Sequence, residues 1–258
     1  MNLLKNDNIL KKQFDINGWV LVKKLFSKKE IIEINKKIDT FLKISIKKYN
    51  GKNINFTDNE PITKIKNINS FHSLSDSAYI KKKSKNNKIL KVVKNLLGAK
   101  PRYMASELFA KPASKGLKAP IHQDNYYWCI KNGNALTVWV ALDPVSSKNG
   151  GLTYYNATHK LGVVKHKPSF AKGSSQTVSN NIKYKKYKRF CPKLAPGDAL
   201  FHHSEIIHGS SANKSGLRRR GLTFQFKDSK AKYDTKMKKK YLKSLNKQIM
   251  LREQERLI

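Results

Sequence analysis

The tripeptide His122-Gln123-Asp124 offers an imidazole and a carboxylate to a metal, and His208, far downstream, offers a second imidazole. Two neutral imidazoles and one carboxylate suit iron(II) and leave coordination positions open for small molecules. Arg219 follows, and its guanidinium is a rigid fork for a carboxylate. Ferrous iron beside a carboxylate-binding arginine is the equipment of an oxygenase that consumes an acidic co-substrate.

With seven histidines in the chain, an isolated HxD tripeptide can arise by chance, so context must select this one. Pro120 and Ile121 precede it, and Tyr126, Tyr127 and Trp128 follow. Read as a strand, the segment places His122 and Asp124 on one face, with Gln123 pointing away or along it. His202 and His203 compete with His208 for the third ligand position. They follow the Gly197-Asp198 turn and read as packing groups or as hydrogen-bond partners of a ligand. His208 is preferred because Gly209 lets the chain approach closely and Ser210 can donate a hydrogen bond. Arg219 is one of three consecutive arginines, and strand parity chooses among them. Arg219, Gly221, Thr223 and Gln225 share a small, polar face, whereas Arg218, Arg220, Leu222, Phe224 and Phe226 share one that becomes apolar.

The elements that must position these residues begin with a short strand within 18–26. Ser27 and Glu30 then form a capping box ahead of Ile31, Ile34, Ile38, Phe41, Leu42 and Ile46 at helical spacing. A second helix is expected over 86–97, ended by Gly98. Residues 47–70 carry no clear pattern. From Arg102 to Phe226 the text is β-like, with candidate strands at 103–111, 120–128, 135–143, 151–155, 198–203, 205–210 and 217–227. Asn149-Gly150-Gly151 and Ala195-Pro196-Gly197-Asp198 mark turns. Many short strands without intervening long helices predict a mainly β protein with flanking helices, a barrel or double-sheet jelly roll. The Lys- and Ser-rich stretch 163–190 reads equally as a lid over the site or a disordered insertion. The tail 228–258 reads as a basic helix docking through Tyr241, Leu242, Leu245 and Ile249. A single domain over 1–258 is expected, with a mixed part (1–100), a β core (101–227) and the tail (228–258).

The 258 residues carry a formal charge of +37. Lysines spread over nearly every exposed-looking position, which favours compositional drift over a designed stripe. The scarcity of acidic residues still leans the reading toward anionic ligands. No nucleic-acid motif accompanies the charge, so nucleic acid is not the expected partner. Cys129 and Cys191 make no disulfide framework and no CxxC pair, and read as thiols in a reducing compartment. The N-terminus has no signal-peptide pattern, and no apolar run is long enough to span a membrane. A cytoplasmic protein is expected, of undetermined oligomeric state.

The segments HQDNYYW (122–128), NALTVWVALD (134–143), NGGLTYYNATHKLG (149–162), PGDALFHHSEIIHGSSAN (196–213) and RRRGLTFQF (218–226) resemble, in this order, the phytanoyl-CoA dioxygenase family. The stretch 17–31 is similar as well. The resemblance implies a double-stranded β-helix that uses iron(II), 2-oxoglutarate and dioxygen. It makes His122, Asp124 and His208 the iron ligands and Arg219, assisted by Ser210, the partner of the co-substrate's distal carboxylate. It places Gln123 and Trp139 on the co-substrate pocket, and Lys66, through a loose alignment, near 2-oxoglutarate. Glu107 stands where relatives often carry methionine, a departure that changes the pocket's polarity. Asn125, Tyr126, Tyr127 and Trp128 are candidates for the substrate side. The carboxylate of Asp124 favours hydroxylation over halogenation, because related halogenases place a small residue there.

The leading expectation is an iron(II)- and 2-oxoglutarate-dependent hydroxylase of a small or medium-sized metabolite. A metal-binding sensor without turnover and a basic nucleic-acid-binding β protein are the alternatives. Substrate identity does not follow from the fold.

Overall fold

In the computed structural model, residues 3–48, 53–57, 65–171 and 173–254 are described. The frame is a seven-stranded antiparallel sheet facing a four-stranded one. Its strands are β1 (Trp19–Val22), β2 (Ile54–Phe56), β3 (Ile68–Phe71), β4 (Pro101–Lys111), β5 (Ala119–His122), β6 (Ala135–Ala141), β7 (Leu152–Tyr155), β8 (His166–Ala171), β9 (Ser174–Val178), β10 (Arg189–Phe190), β11 (Ala199–His203), β12 (His208–Ser210) and β13 (Arg219–Asp228). The large sheet runs β1-β11-β6-β13-β4-β3-β2, the small one β10-β7-β12-β5, and β8 pairs with β9 alone. This is the double-stranded β-helix, or jelly roll.

The helices are α1 (Leu3–Asn17), α2 (Lys28–Lys47), α3 (Ala78–Lys83), α4 (Asn87–Leu97), the single turn α5 (Asn125–Trp128) and α6 (Thr235–Gln254). The expected capping box starts α2: the Ser27 hydroxyl accepts from the Glu30 amide while the Glu30 carboxylate accepts from the Ser27 amide at 2.8 Å. Gly98 ends α4 at φ +63, a conformation that costs a residue without Cβ little. Ile31, Ile34, Ile38 and Leu42 of α2 join Ile89, Val93 and Leu96 of α4 in the main core, against Leu136, Val138 and Val140 of β6 and Leu222, Phe224 and Phe226 of β13. The opposite faces of these strands look into the molecule. Strand β13 is buried on both sides from Arg219 to Lys227, so its alternation separates core from site rather than core from water.

The structure redraws several expected segments. The chain does not stay extended over 120–128: β5 stops at His122, Asp124 is helical at φ −58 and ψ −40, and α5 follows. The turn closes through Tyr127 N to Asp124 O (3.0 Å) and Cys129 N to Asn125 O (2.8 Å), overriding the β propensity of its aromatics. Of the expected strand 205–210, only His208–Ser210 is extended. The stretch 163–190 is neither structureless nor an open loop, because it folds into the β8–β9 hairpin and strand β10. Helix α1 had no counterpart in the sequence reading. In α6, Tyr241 and Leu245 face the body as expected, but Leu242 is 42% exposed and the buried residue is Gln248. Among the described residues no helix is long and apolar enough to cross a membrane.

Candidate active site

The space between the two sheets is a cavity of about 930 Å³, and His122, Asp124, His208, Arg219, Ser210 and Trp139 all line it. His122 ends β5 and His208 begins β12, and the two are direct register partners. Their ring centroids lie 4.4 Å apart. The turn into α5 brings Asp124 beneath them, with its Oδ1 3.6 Å from Nε2 of each histidine. Strand parity therefore does not place Asp124; the helical turn after β5 does. One donor atom from each of the three residues lies within 4.8 Å of the others, close enough to share a metal ion.

Hydrogen bonds behind the triad fix which atoms face inward. The Nδ1 of His122 bonds Pro120 O at 2.7 Å, and that of His208 bonds Ile206 O at 3.0 Å. Each Nδ1 therefore carries the proton and each Nε2 keeps its lone pair for a metal. Thr137 donates to Asp124 Oδ2 at 2.7 Å, and His202 Nε2 reaches the same oxygen at 3.2 Å while its Nδ1 meets the Tyr154 hydroxyl at 2.9 Å. With Oδ2 occupied, Oδ1 is left to face the metal position between the two imidazoles. Burial opposes the charge on Asp124, but His208, His122 and His202 outweigh it and hold the carboxyl well below its ordinary range. Burial pushes His208 down to about 3, assisted by His122, so it is a neutral ligand at physiological pH.

Arg219 is 2% exposed. Its Nη2 donates to Gly150 O at 2.6 Å, its Nη1 to Phe109 O at 3.3 Å, and its guanidinium lies 5.4 Å from the Trp139 ring centroid. Among the described residues its buried Nε has no hydrogen-bond partner. Burial lowers its proton affinity to about 9, which still leaves it charged. A buried guanidinium with an orphaned donor, on the wall that also carries two imidazoles and a carboxylate, fits a carboxylate ligand bound beside a ferrous ion. Gly221 makes room for Trp139, since a Cβ there would stand 1.9 Å from the indole.

Not every expected residue reaches the cavity. Gln123 is fully buried behind the triad, donating to Gly162 O (2.8 Å) and Glu205 O (2.6 Å) and accepting from Val164 N (2.8 Å). It ties loops together and is not among the residues that line this cavity. Lys66 is exposed in a short turn away from the cavity. Asn125 turns inward to cap Ile130 and bond Glu205, and Tyr126 stacks on His166 at 4.1 Å, so both are packing residues. Tyr127, Trp128 and Glu107 do line the cavity. Glu107 accepts from Gln225 at 2.8 Å and meets His72 Nδ1 at 2.8 Å. Burial opposes protonation of His72, and the Glu107 bond more than compensates, raising its proton affinity.

Three residues on this wall carry no expectation from the sequence, His72, Thr137 and Lys111, whereas His202 bonds the Asp124 carboxylate, one of the two roles read for it. Parity along β4 carried a signal for Lys111, because Glu107, Phe109 and Lys111 alternate onto one face.

A profile of the family described as phytanoyl-CoA dioxygenase (PhyH) matches residues 14–221. The peroxisomal phytanoyl-CoA dioxygenase of Bos taurus is 24% identical over 242 residues, which cover 89% of this chain and 72% of the bovine protein. Among solved structures, the epimerase SnoN in complex with Fe3+, alpha ketoglutarate and nogalamycin RO superposes with a TM-score of 0.71 at 18% identity, covering 89% of this chain and 86% of SnoN. EctD from S. alaskensis with 2-oxoglutarate and 5-hydroxyectoine superposes at 0.69 and 19% identity, covering 87% and 77%. At these identities the two structures speak for the fold. The family match spans most of the chain and includes the triad and Arg219; the chain belongs to the phytanoyl-CoA dioxygenase family and is a non-haem iron(II)- and 2-oxoglutarate-dependent dioxygenase.

Proposed function

We propose that the protein is a hydroxylase of a small or medium-sized metabolite, a single oxygenase domain that holds iron(II) with His122, Asp124 and His208 and 2-oxoglutarate with Arg219 and Ser210 beside Trp139. The observation that carries this reading is the buried guanidinium of Arg219, without an ion pair among the described residues, on the same cavity as the triad. Iron(II), 2-oxoglutarate and dioxygen together supply oxidative decarboxylation to succinate and carbon dioxide, coupled to oxygen insertion into a C–H bond. The chain's residues set the stage. His122 and His208 present their Nε2 atoms, Thr137 and His202 aim Asp124, and Trp139 packs against the arginine. Asp124 keeps the carboxylate position filled, which supports hydroxylation over halogenation.

On the substrate side, Glu107 and His72 make a polar wall, while Tyr241, Leu245 and Ile249 of α6 and the β8–β9 hairpin close the other side. This supports a substrate with both polar and apolar parts. The lean toward anionic substrates rests on Lys118 at this wall and on the overall charge. The free thiols Cys129 and Cys191 support a reducing compartment, and cytoplasmic residence is proposed on that ground.

The test is succinate release. It should require both iron(II) and 2-oxoglutarate, disappear in His122→Ala, and demand far more 2-oxoglutarate in Arg219→Ala. Full turnover in His122→Ala would sink the metal assignment. A screen of metabolites for succinate production above the uncoupled rate would then identify the substrate.

A further inference from the structure

Lys111 is a buried lysine that the sequence reading did not use, and its setting is unusual. It is 4% exposed, ends β4, and is the direct cross-strand partner of Arg219. Its stem runs between two glycines: a Cβ on Gly116 would stand 2.5 Å from the lysine's Cβ, and one on Gly150 would stand 2.7 Å from its Cδ. Its Nζ donates to Leu117 O and, at 2.8 Å, to Ser211 O. An ammonium has three protons, and two carbonyls take two of them.

Two basic side chains thus lie side by side on the cavity wall. The ion pairs of the arginine triplet go instead to Arg218 and Arg220, through Asp143 and Asp39. Among the described residues neither Lys111 nor Arg219 has a carboxylate within ion-pair distance. Burial, together with the neighbouring charge of Arg219, lowers the proton affinity of Lys111 to about 6. Arg219 is the charged group that acts on it; Cys191 and Asp143 act on Arg219 in turn. An anion bound between them would favour the protonated lysine and offset the burial of both groups.

We propose that Lys111 is a second cation of the co-substrate site, donating its remaining proton to the distal carboxylate held by Arg219 and so selecting a 2-oxo dicarboxylic acid over a 2-oxo monocarboxylic acid. This rests on the assignment of Arg219 to 2-oxoglutarate. The exposed Lys66 then has no part in that site. The bland alternative is a clip: Lys111 merely fastens the loops at Leu117 and Ser211.

Calorimetric titration of the Mn(II)-loaded protein separates the two, with 2-oxoglutarate and with 2-oxopentanoate, which has the same carbon chain but no distal carboxylate. Loss of one charge-assisted hydrogen bond in Lys111→Met should raise the Kd for 2-oxoglutarate roughly ten- to a hundredfold. The Kd for 2-oxopentanoate should stay within twofold. Equal weakening of both ligands would show a clip, and no weakening of either would show no role; each overturns the proposal. If Lys111→Met does not fold, the wild-type protein decides. The preference for 2-oxoglutarate over 2-oxopentanoate should shrink as pH rises from 6 to 8.5 and the lysine loses its proton. Taking the ratio cancels changes at the metal, and a preference independent of pH overturns the proposal. In Arg219→Ala the preference should collapse altogether; a preference that survives there refutes the underlying assignment of Arg219 instead.

Discussion

Replacing Thr137 by valine removes one hydroxyl and keeps the branched shape. That hydroxyl donates to Asp124 Oδ2 at 2.7 Å and is the shorter of the two bonds holding this oxygen; His202 holds it at 3.2 Å. A hydrogen bond to a buried charged group is worth about 1.5–3 kcal/mol net. The loss divides between two observables. The part felt with and without metal lowers stability, and about 1 kcal/mol corresponds to roughly 2–4 °C in Tm for a chain of this size. The part felt only with metal bound arises because a freed carboxylate can rotate Oδ1 away from the metal position. Turning it back then weakens metal affinity, by about tenfold for each 1.4 kcal/mol. Removing the outer hydrogen-bond partner of a metal ligand commonly costs about 10–100-fold in affinity, and the surviving His202 bond places Thr137→Val at the lower end. The assay pairs a thermal melt of the metal-free protein with anaerobic iron(II) or Mn(II) calorimetry. The two losses should add up to about 1.5–3 kcal/mol. A variant with unchanged Tm and a metal Kd within twofold of the parent would refute the claim that Thr137 aims the carboxylate.

Gly221→Ala should be far more disruptive than its size suggests. The new methyl group meets Trp139 at 1.9 Å, so the indole must leave its place beside Arg219. Overpacking of about 1–3 kcal/mol and at least tenfold weaker 2-oxoglutarate binding are expected, together with a changed tryptophan emission; wild-type 2-oxoglutarate affinity in this variant would contradict the packing argument. Acid should destabilise the metal-free fold. Burial, with His159 and His202, pushes His203 down to about 3, and burial pushes His166 down to about 4. In the unfolded chain both titrate near 6.5. The folded state therefore binds fewer protons, so stability is complete above about pH 6.5 and falls toward pH 4, by up to about 1.4 kcal/mol per pH unit for each histidine. Urea midpoints at pH 7 and 5 should show this, with a shallower fall in His203→Phe; equal midpoints in the parent would exclude it.

The sequence was legible wherever burial imposes a strict period. Parity on β13 separates Arg219, Gly221, Thr223 and Gln225 from Leu222, Phe224 and Phe226, because the first set faces the cavity and the second the helices. The same rule misleads at Asp124, where local backbone bonds and the Asn125 side chain bend the chain out of extension one residue after β5 ends. Proximity in sequence points Asn125 and Tyr126 at the cavity, and the family resemblance points Gln123 there, yet each turns the other way to meet buried partners. Lys66 and Lys111 make the converse point. A lysine reads as solvated in a sequence, and parity along β4 gives only a face for Lys111; the register with Arg219 shows that it is enclosed.

Helix α6 begins beyond the segment shared with the family, yet supplies Tyr241, Leu245 and Ile249 to the cavity wall. Among the described residues none of its side chains joins either buried apolar cluster. It is held by aromatic edges against Tyr126 and Tyr127 and by a 3.0 Å bond from Gln176 to Ser244. Substitutions on its inner face can therefore change what the cavity admits at little expense to folding, while the strands that carry the triad stay under the constraint of the core. Descendants of this chain are free to diverge in diet while keeping the same engine.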